Sequence, residues 1–186
     1  MASAAELHAA YARHGPALRR KCERLLGSQA EAEDVVQGLF LDLLQRQEDA
    51  MPGSTGATTG QGRHGAGAAG QGPSSLPYLY QAVTHRCLNL LRDARRRREL
   101  LATYDEGLRG PVRTQLDEQV ISLELLGRLA ARLDERSLEL LVYRCFDDLA
   151  GDEIALLLGI SRRAVVKRLT ALRRTIAGLA AEEAGA

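Results

Sequence analysis

Two helices joined by a tight turn are predicted by residues 152–174, which have the sequence DEIALLLGISRRAVVKRLTALRR. Ala155 is small, so two helices can cross closely there, and Gly159 permits the turn between them. Ile160 is placed to fill the core beneath the turn, and Ser161 is a good cap for the second helix. This spacing is typical of a helix-turn-helix motif, in which the second helix enters the major groove of DNA.

The second helix of this motif separates apolar from charged side chains. Apolar residues recur at positions 165, 169, 172 and 176, which share one side of a helix. Six basic residues and no acidic residue occur from 161 to 174, and such a face suits the phosphate backbone of DNA. An ordinary helical hairpin with a solvated basic face is the alternative. The candidate DNA-contacting residues are Arg162, Arg163, Val166, Lys167, Arg168 and Thr170.

The composition of the whole chain favours an all-α fold. Its 186 residues are 45% hydrophobic and 26% charged, as in a folded soluble protein, and only 4% are aromatic. Strands depend on aromatic and β-branched residues, whereas the Leu, Ala, Arg and Glu that dominate here favour helices. No run is apolar enough to span a bilayer and the amino terminus lacks signal-peptide features, so we expect a cytoplasmic protein without membrane insertion.

Neither the histidines nor the cysteines are spaced as metal ligands. His85 and Cys87 are too close in sequence to form a usual ligand pair on one helix face. Cys22, Cys87 and Cys145 lie far apart, which fits reduced thiols. The glycine-rich segment at residues 51–75 has no GK[ST] ending, so it is not a phosphate loop. We therefore expect no enzymatic activity, no cofactor and no bound metal.

The first fifty residues predict two helices. The first spans 3–26, with a break or kink at Gly15-Pro16, and ends at Gly27. Ser28 opens the second helix, with Glu31 at the spacing of a capping box, and this helix runs to about Gln47. Its apolar stripe consists of Val36, Phe40, Leu43 and Leu44.

The rest of the chain divides at two segments that do not favour helix. Residues 51–75 contain eight glycines and predict a flexible insert, since they cannot bury enough surface to offset their entropy. Helix resumes at 76 and continues to about 103, and residues 104–116 predict a flexible linker. We expect two small helical domains, 1–103 and 117–180, and a tail at 181–186. Helices in the second domain are predicted over 123–133, 137–146, 152–158 and from 161 onward.

The helix over 77–98 combines aromatic and basic residues. The net charge of the chain is only +1, so this cluster and the one at 161–174 indicate local contacts with polyanions. Aromatic rings beside cations can stack on unpaired bases. A tyrosine pair in the core and a solvated arginine tail are an equally open interpretation. The candidate residues are Tyr78, Tyr80, His85, Asn89, Arg92, Arg95 and Arg96.

A third motif makes the chain resemble a known family. The stretch Glu31–Phe40, EAEDVVQGLF, resembles the most characteristic segment of bacterial RNA polymerase sigma factors. This stretch, the helix at 77–98 and the helix-turn-helix follow one another in the same order as the corresponding motifs of extracytoplasmic-function (ECF) sigma factors. The resemblance covers about 6–50, 76–103 and 117–179, and implies sigma domains two and four.

The resemblance implies partners and roles. Asp34, Val35 and Gln37 match positions that contact the β′ clamp helices of core RNA polymerase. The segment from Tyr78 to Arg92 matches the one that recognises and opens the minus-ten promoter element. The second domain matches the one that reads the minus-thirty-five element and meets the β flap. Many members are held inactive by an anti-sigma factor, and this sequence does not identify one.

Some residues depart from the family pattern. Gly38 stands in place of a usual Glu, His85 in place of a common Asn, and Asn89 in place of a common Asp. Residues 164–166 are Ala-Val-Val in place of the commoner Thr-Val-Lys, which implies an unusual promoter preference. The insert falls in a loop that helps capture a flipped minus-ten base in the family. We hypothesise that it modulates this recognition; unchanged start sites and transcript levels after deletion of 54–72 would refute this.

The alternative to an ECF sigma factor is a stand-alone helix-turn-helix regulator that does not join polymerase. It accounts for residues 134–178 but leaves the motif at 31–40 without a role. It also predicts a dimer and a palindromic DNA site. Binding to core polymerase discriminates the two.

Overall fold

The computed structural model describes residues 3–49, 72–104 and 118–184. Within these ranges the chain forms seven α-helices and no strand, so the predicted all-α fold is confirmed. The helices are α1 (Ala4–Leu26), α2 (Gln29–Asp49), α3 (Leu76–Tyr104), α4 (Glu118–Arg132), α5 (Glu135–Leu141), α6 (Gly151–Leu158) and α7 (Arg162–Ala184). The predicted insert at 51–75 and linker at 104–116 lie mostly outside the described residues.

Helix α1 is closed at both ends by local hydrogen bonds. The Ser3 hydroxyl accepts from the Glu6 amide and the Glu6 carboxylate accepts from the Ser3 amide, a full capping box. Gly27 ends the helix in the left-handed region, with φ 71°. Of the break or kink predicted at Gly15-Pro16, the break does not occur, because the helix continues through Pro16. Buried residues occur both before and after Pro16, and this packing offsets the lost backbone hydrogen bond.

Helices α1, α2 and α3 form one packed unit, called here the N-terminal unit. Their core includes the fully buried Leu18, Val36 and Val83, and the predicted inner stripe of α2 is confirmed by the burial of Val36, Phe40 and Leu43. The ring of Phe40 meets that of Tyr11 edge-on, with centroids 5.1 Å apart. This core fixes which faces of α2 and α3 point outward.

Helices α4 to α7 form a second unit, called here the C-terminal unit. The helix predicted from Ser137 begins earlier, at Glu135, because Asp134 caps it by accepting from the Ser137 amide at 2.9 Å. It ends in a π-helical turn over Val142–Phe146, closed by the Asp147 amide donating to the Val142 carbonyl. Helix α7 extends to Ala184, so most of the predicted tail is helical.

The two units pack directly against each other. Helix α3 of the N-terminal unit contacts α4, α5 and α6 of the C-terminal unit. Three of the residues at this junction, Tyr80, His85 and Arg92, belong to the predicted promoter-melting set. None of the described helices is long and apolar enough to cross a bilayer.

Candidate nucleic-acid interface

The helix-turn-helix has the predicted geometry. Gly159 adopts the left-handed region with φ 63°, and the Ile160 amide donates to the Ala155 carbonyl at 3.0 Å. Three residues, 159–161, therefore connect α6 to α7. The Ser161 hydroxyl then accepts from the Ala164 amide at 3.2 Å, which caps the start of α7.

The outer face of α7 is open to solvent. Val165 and Leu172 are buried against the unit, while Leu169 and Ile176 are half-buried, as their spacing predicts. The predicted DNA-contacting residues, all of them exposed, are Arg162, Arg163, Val166, Lys167, Arg168 and Thr170. Val166 is 54% exposed and places a methyl-bearing surface among cations.

Two local contacts shape this face. The Arg162 guanidinium lies 3.3 Å from the Asp152 carboxylate of α6, but both side chains are exposed and such pairs are weak. Arg162 can therefore exchange this partner for a phosphate. The Thr170 hydroxyl donates to the Val166 carbonyl at 2.9 Å, which engages the hydroxyl with its own helix.

The predicted melting helix, α3, is largely turned toward the C-terminal unit. Arg92 donates from Nε to the Ala130 carbonyl at 3.0 Å and from Nη2 to the Leu133 carbonyl at 3.4 Å, so it caps the end of α4. Gln81 likewise donates to the Leu157 carbonyl at the end of α6, at 3.0 Å. Both contacts satisfy carbonyls that a helix end leaves without a partner.

His85 lies between two carboxylates of α5. Its Nδ1 is 2.5 Å from Glu135 Oε1, and its Nε2 is 3.2 Å from Glu139 Oε1. Burial lowers the pKa of His85, but hydrogen bonds and charge from Glu139 and Glu135 outweigh burial and raise the pKa above its usual value. The His85 ring therefore bridges the two units, and the two carboxylates favour its protonated form.

A buried cation stands at the centre of the junction. Lys21 of α1 donates to the Asp147 carboxylate, and both side chains are almost fully buried, 1% and 2% exposed. Its Nζ also lies 4.1 Å from the ring centroid of Tyr80 and 5.2 Å from that of Tyr143. Arg24 donates to the same carboxylate at 3.0 Å.

The aromatic rings around Lys21 are held in place by the same cluster. Tyr80 and Tyr143 stack with centroids 6.0 Å apart and planes 30° from parallel. The Tyr143 hydroxyl donates to Glu139 at 2.8 Å, which joins the Lys21 cluster to the His85 cluster. Burial, followed by the nearby Asp147 carboxylate, raises the pKa of Tyr80. Tyr80 is therefore a neutral ring packed between the two units.

Sequence reasoning missed the residues that complete this cluster. Lys21 could have been noticed, because it is three positions after Leu18 and four before Leu25, on the buried face of α1. Burial lowers the pKa of Lys21, and Asp147 opposes that shift. Asp147 and Tyr143 carry no comparable signal in the sequence.

Two protein-family models match this chain. A family model described as Sigma-70 region 2 matches residues 10–55, and one described as ECF sigma factor matches residues 88–182, more than half of the chain. The chain belongs to the ECF sigma factor family. No curated protein matches it. Sigma factor families act in transcription initiation and are not enzymes.

The surface of α2 that carries the predicted polymerase contacts is only partly exposed in this sigma factor. Asp34 and Gln37 point to solvent, whereas Val35 is 6% exposed and packs in the core. A cleft of about 490 Å³ separates this part of α2 from α3. Its lining residues are Glu31, Asp34, Val35, Arg86, Asn89, Leu90 and Asp93.

Gly38 of α2 lies beside the Arg86 side chain of α3. The Arg86 side chain of α3 reaches across α2 to form an ion pair with Asp42. A Cβ at position 38 would lie 3.3 Å from Arg86 Nη1, closer than most real contacts. The missing side chain lets the guanidinium lie against α2.

The remaining candidates on α3 differ in exposure. Asn89 and Arg96 are exposed, and Tyr78 and Arg95 are half-buried. The structure therefore brings Tyr80, His85 and Arg92 to the junction with the C-terminal unit and leaves Asn89 and Arg96 on the outer surface.

Proposed function

We propose that this sigma factor binds core RNA polymerase and directs it to promoters with a two-part element. In this proposal α7 reads the minus-thirty-five element, α3 recognises and opens the minus-ten element, and the exposed residues of α2 contact the β′ clamp helices. The observation that carries the proposal is the exposed basic face of α7, which follows directly on a capped helix-turn-helix.

Direct readout by α7 is supported by its chemistry. Arg163 and Lys167 are exposed near its start, where a recognition helix contacts base edges. An arginine or lysine on guanine is worth about 1–3 kcal/mol of discrimination. Val166 supplies an apolar group suited to the methyl group of thymine.

Polymerase contact through α2 is supported by its outward polar surface. Asp34 and Gln37 are exposed on a helix whose opposite side is fixed by Val36 and Leu39 in the core. A rigid helix presents such groups without a large ordering cost on binding. Val35 is buried beneath this surface. In this proposal it positions the exposed residues of α2 and does not itself contact polymerase.

Runoff transcription tests the proposal. Purified core polymerase and genomic DNA, with and without the sigma factor, should give new discrete starts preceded by a shared two-part element. The double variant Asp34→Ala/Gln37→Ala should weaken core binding on the order of tenfold, about 1.4 kcal/mol. Glu48→Ala, on the exposed end of the same helix, is the matched control and should leave core binding unchanged.

Two negative results have different meanings. Intact core binding without new starts would contradict promoter direction and leave polymerase contact standing. Absence of core binding, together with binding of a dimer to a palindromic site, would replace the proposal with a stand-alone regulator.

A further inference from the structure

One wall of the cleft between α2 and α3 is formed by side chains on a single side of α3. Four residues at helical steps of three and four share this side of the helix. They are Arg86, Asn89, Leu90 and Asp93, called here the α3 stripe. The other wall of the cleft, whose volume is about 490 Å³, comes from residues 31–35 of α2. The contacts of α3 with the C-terminal unit come from other positions of the helix.

Two leucines on this part of the surface are exposed to solvent. Leu90 of the α3 stripe is 39% exposed, and Leu41 of α2 is 57% exposed. Leu41 follows Asp34 by seven positions and Gln37 by four, so it lies on the same outward side of α2 as these two residues. Covering apolar surface is favourable, and apolar contacts surrounded by polar groups are the usual composition of a protein interface.

The rim of the cleft is negatively charged. The side chains of Glu31, Asp34 and Asp93 are all exposed there. Among the described lining residues Arg86 is the single cation, and its guanidinium is already paired with Asp42. Three carboxylates without an available cation repel the phosphates of DNA and attract basic side chains. The charge of the cleft therefore favours a basic protein surface over promoter DNA.

The cleft is preformed by the core of the N-terminal unit. Val36 of α2 and Leu88 of α3 are fully buried, which fixes the orientation of both walls. A groove between two packed helices suits a helix of a partner, whose side chains enter the groove at steps of three and four residues. Because the walls are already ordered, binding there carries a small ordering cost.

We propose that the α3 stripe is a second part of the polymerase-binding surface, and that the cleft receives basic and apolar side chains from a helix of core polymerase. Leu41 and Leu90 supply the apolar contacts, and Asp34 and Asp93 pair with basic residues of the polymerase. Asn89, which the family resemblance assigns to the minus-ten element, contacts polymerase instead. The inference rests on the proposed function, because it extends the same polymerase contact from α2 onto α3.

Titration of core polymerase with the full-length sigma factor tests this inference. Leu90→Ser should reduce the affinity on the order of tenfold at low and at high salt, because it removes an apolar contact. Asp93→Lys should reduce the affinity by a similar factor at low salt and much less at high salt, because salt screens the charges at an exposed rim.

Two matched controls make the same kinds of change outside the cleft. Leu100→Ser alters another exposed leucine of α3, and Glu48→Lys reverses an exposed charge of α2. Both should leave the affinity for core polymerase unchanged. Circular dichroism of all four variants should show the helical content of the unmodified chain, since each altered side chain is exposed.

Asn89→Ala separates polymerase contact from promoter contact. In this inference it weakens core binding, so runoff transcription should fall when the sigma factor is limiting. Transcription should return to the unmodified level when the variant saturates core polymerase. A deficit that persists at saturation, with unchanged core affinity, would assign Asn89 to the promoter strand and overturn its role in the cleft.

The remaining outcomes distinguish this inference from the proposed function. Unchanged core affinity in both Leu90→Ser and Asp93→Lys, while Asp34→Ala/Gln37→Ala weakens binding, would overturn the inference and leave the proposed function standing. Equal losses in the two control variants would also overturn it, since the effect would not belong to the cleft. Absence of core binding by the unmodified chain would contradict the proposed function and this inference together.

Discussion

Lys21 of α1 and Asp147, 126 positions later in the chain, form an ion pair in which both side chains are almost completely buried. Two charges removed from water in this way depend on each other, because the desolvation cost of each is offset only by its partner. Because the pair joins the N-terminal and C-terminal units, a single substitution of either residue should weaken the packing of one unit against the other.

Removing the acid should cost more than removing the base. Asp147→Ala leaves Lys21 buried without its acid, and we expect a loss of about 3 kcal/mol in the free energy of unfolding measured in urea. Lys21→Met should cost less than about 2 kcal/mol, since methionine fills the apolar site and Arg24 still pairs with Asp147. Glu48→Ala is the control, with no expected change. An equal loss for both junction variants would contradict this interpretation.

The His85 bridge should make stability depend on pH. Its pKa is raised in the folded chain, where Glu135 and Glu139 face it, so its contribution is complete below the unfolded pKa of about 6.5. That contribution is lost as pH rises through the folded pKa. Unfolding in urea at several pH values between 5.5 and 8.5 should therefore show a difference between the unmodified chain and His85→Gln that shrinks at high pH.

The matched control for the pH experiment is His8→Gln, which changes an exposed histidine of α1. It should follow the pH dependence of the unmodified chain. A difference between the unmodified chain and His85→Gln that grows with pH would show that His85 does not act as a bridging cation.

Removing charge from α7 should weaken promoter binding in a salt-dependent way. Arg163→Ala and Lys167→Ala should each reduce the affinity of the polymerase complex for promoter DNA by about 1–3 kcal/mol where the side chain contacts a base. A side chain that contacts a phosphate should instead reduce the salt slope by about one. Arg13→Ala removes an equal charge from an exposed position of α1 and should do neither. Titration of DNA at several salt concentrations distinguishes these outcomes.

Gly38 in α2 should tolerate alanine. Alanine in place of a mid-helix glycine gains up to about 1 kcal/mol. The added Cβ would press on the end of the flexible Arg86 side chain, which needs to move only a few tenths of an ångström. We expect a net gain smaller than that of Gly178→Ala in α7, where no atom lies within 4 Å of the added Cβ. Thermal unfolding of both variants measures the difference, and a net loss for Gly38→Ala would mean that Arg86 cannot yield.

Much of the architecture could be predicted from local patterns. Some features depend only on residues within a few positions of one another, so a short stretch of sequence is enough to predict them. These are the turn at Gly159, the cap at Ser161 and the exposed basic face of α7. The inner stripe of α2 follows from helical periodicity in the same way. The helix does not break at Pro16, because packing on both sides of this residue outweighs the local preference.

The partners of α3 were decided by tertiary structure. Aromatic and basic residues on one helix left open both contact with DNA and packing in the core. In the structure, Tyr80, His85 and Arg92 meet residues 38 to 63 positions away in the chain. Periodicity identifies the face on which a residue lies, but not the element that will cover that face. The sequence by itself therefore determined the helices, the helix-turn-helix and its charge. Only the tertiary structure decided that the C-terminal unit covers α3 and that Lys21 finds Asp147, because long-range charge pairing depends on how the units pack.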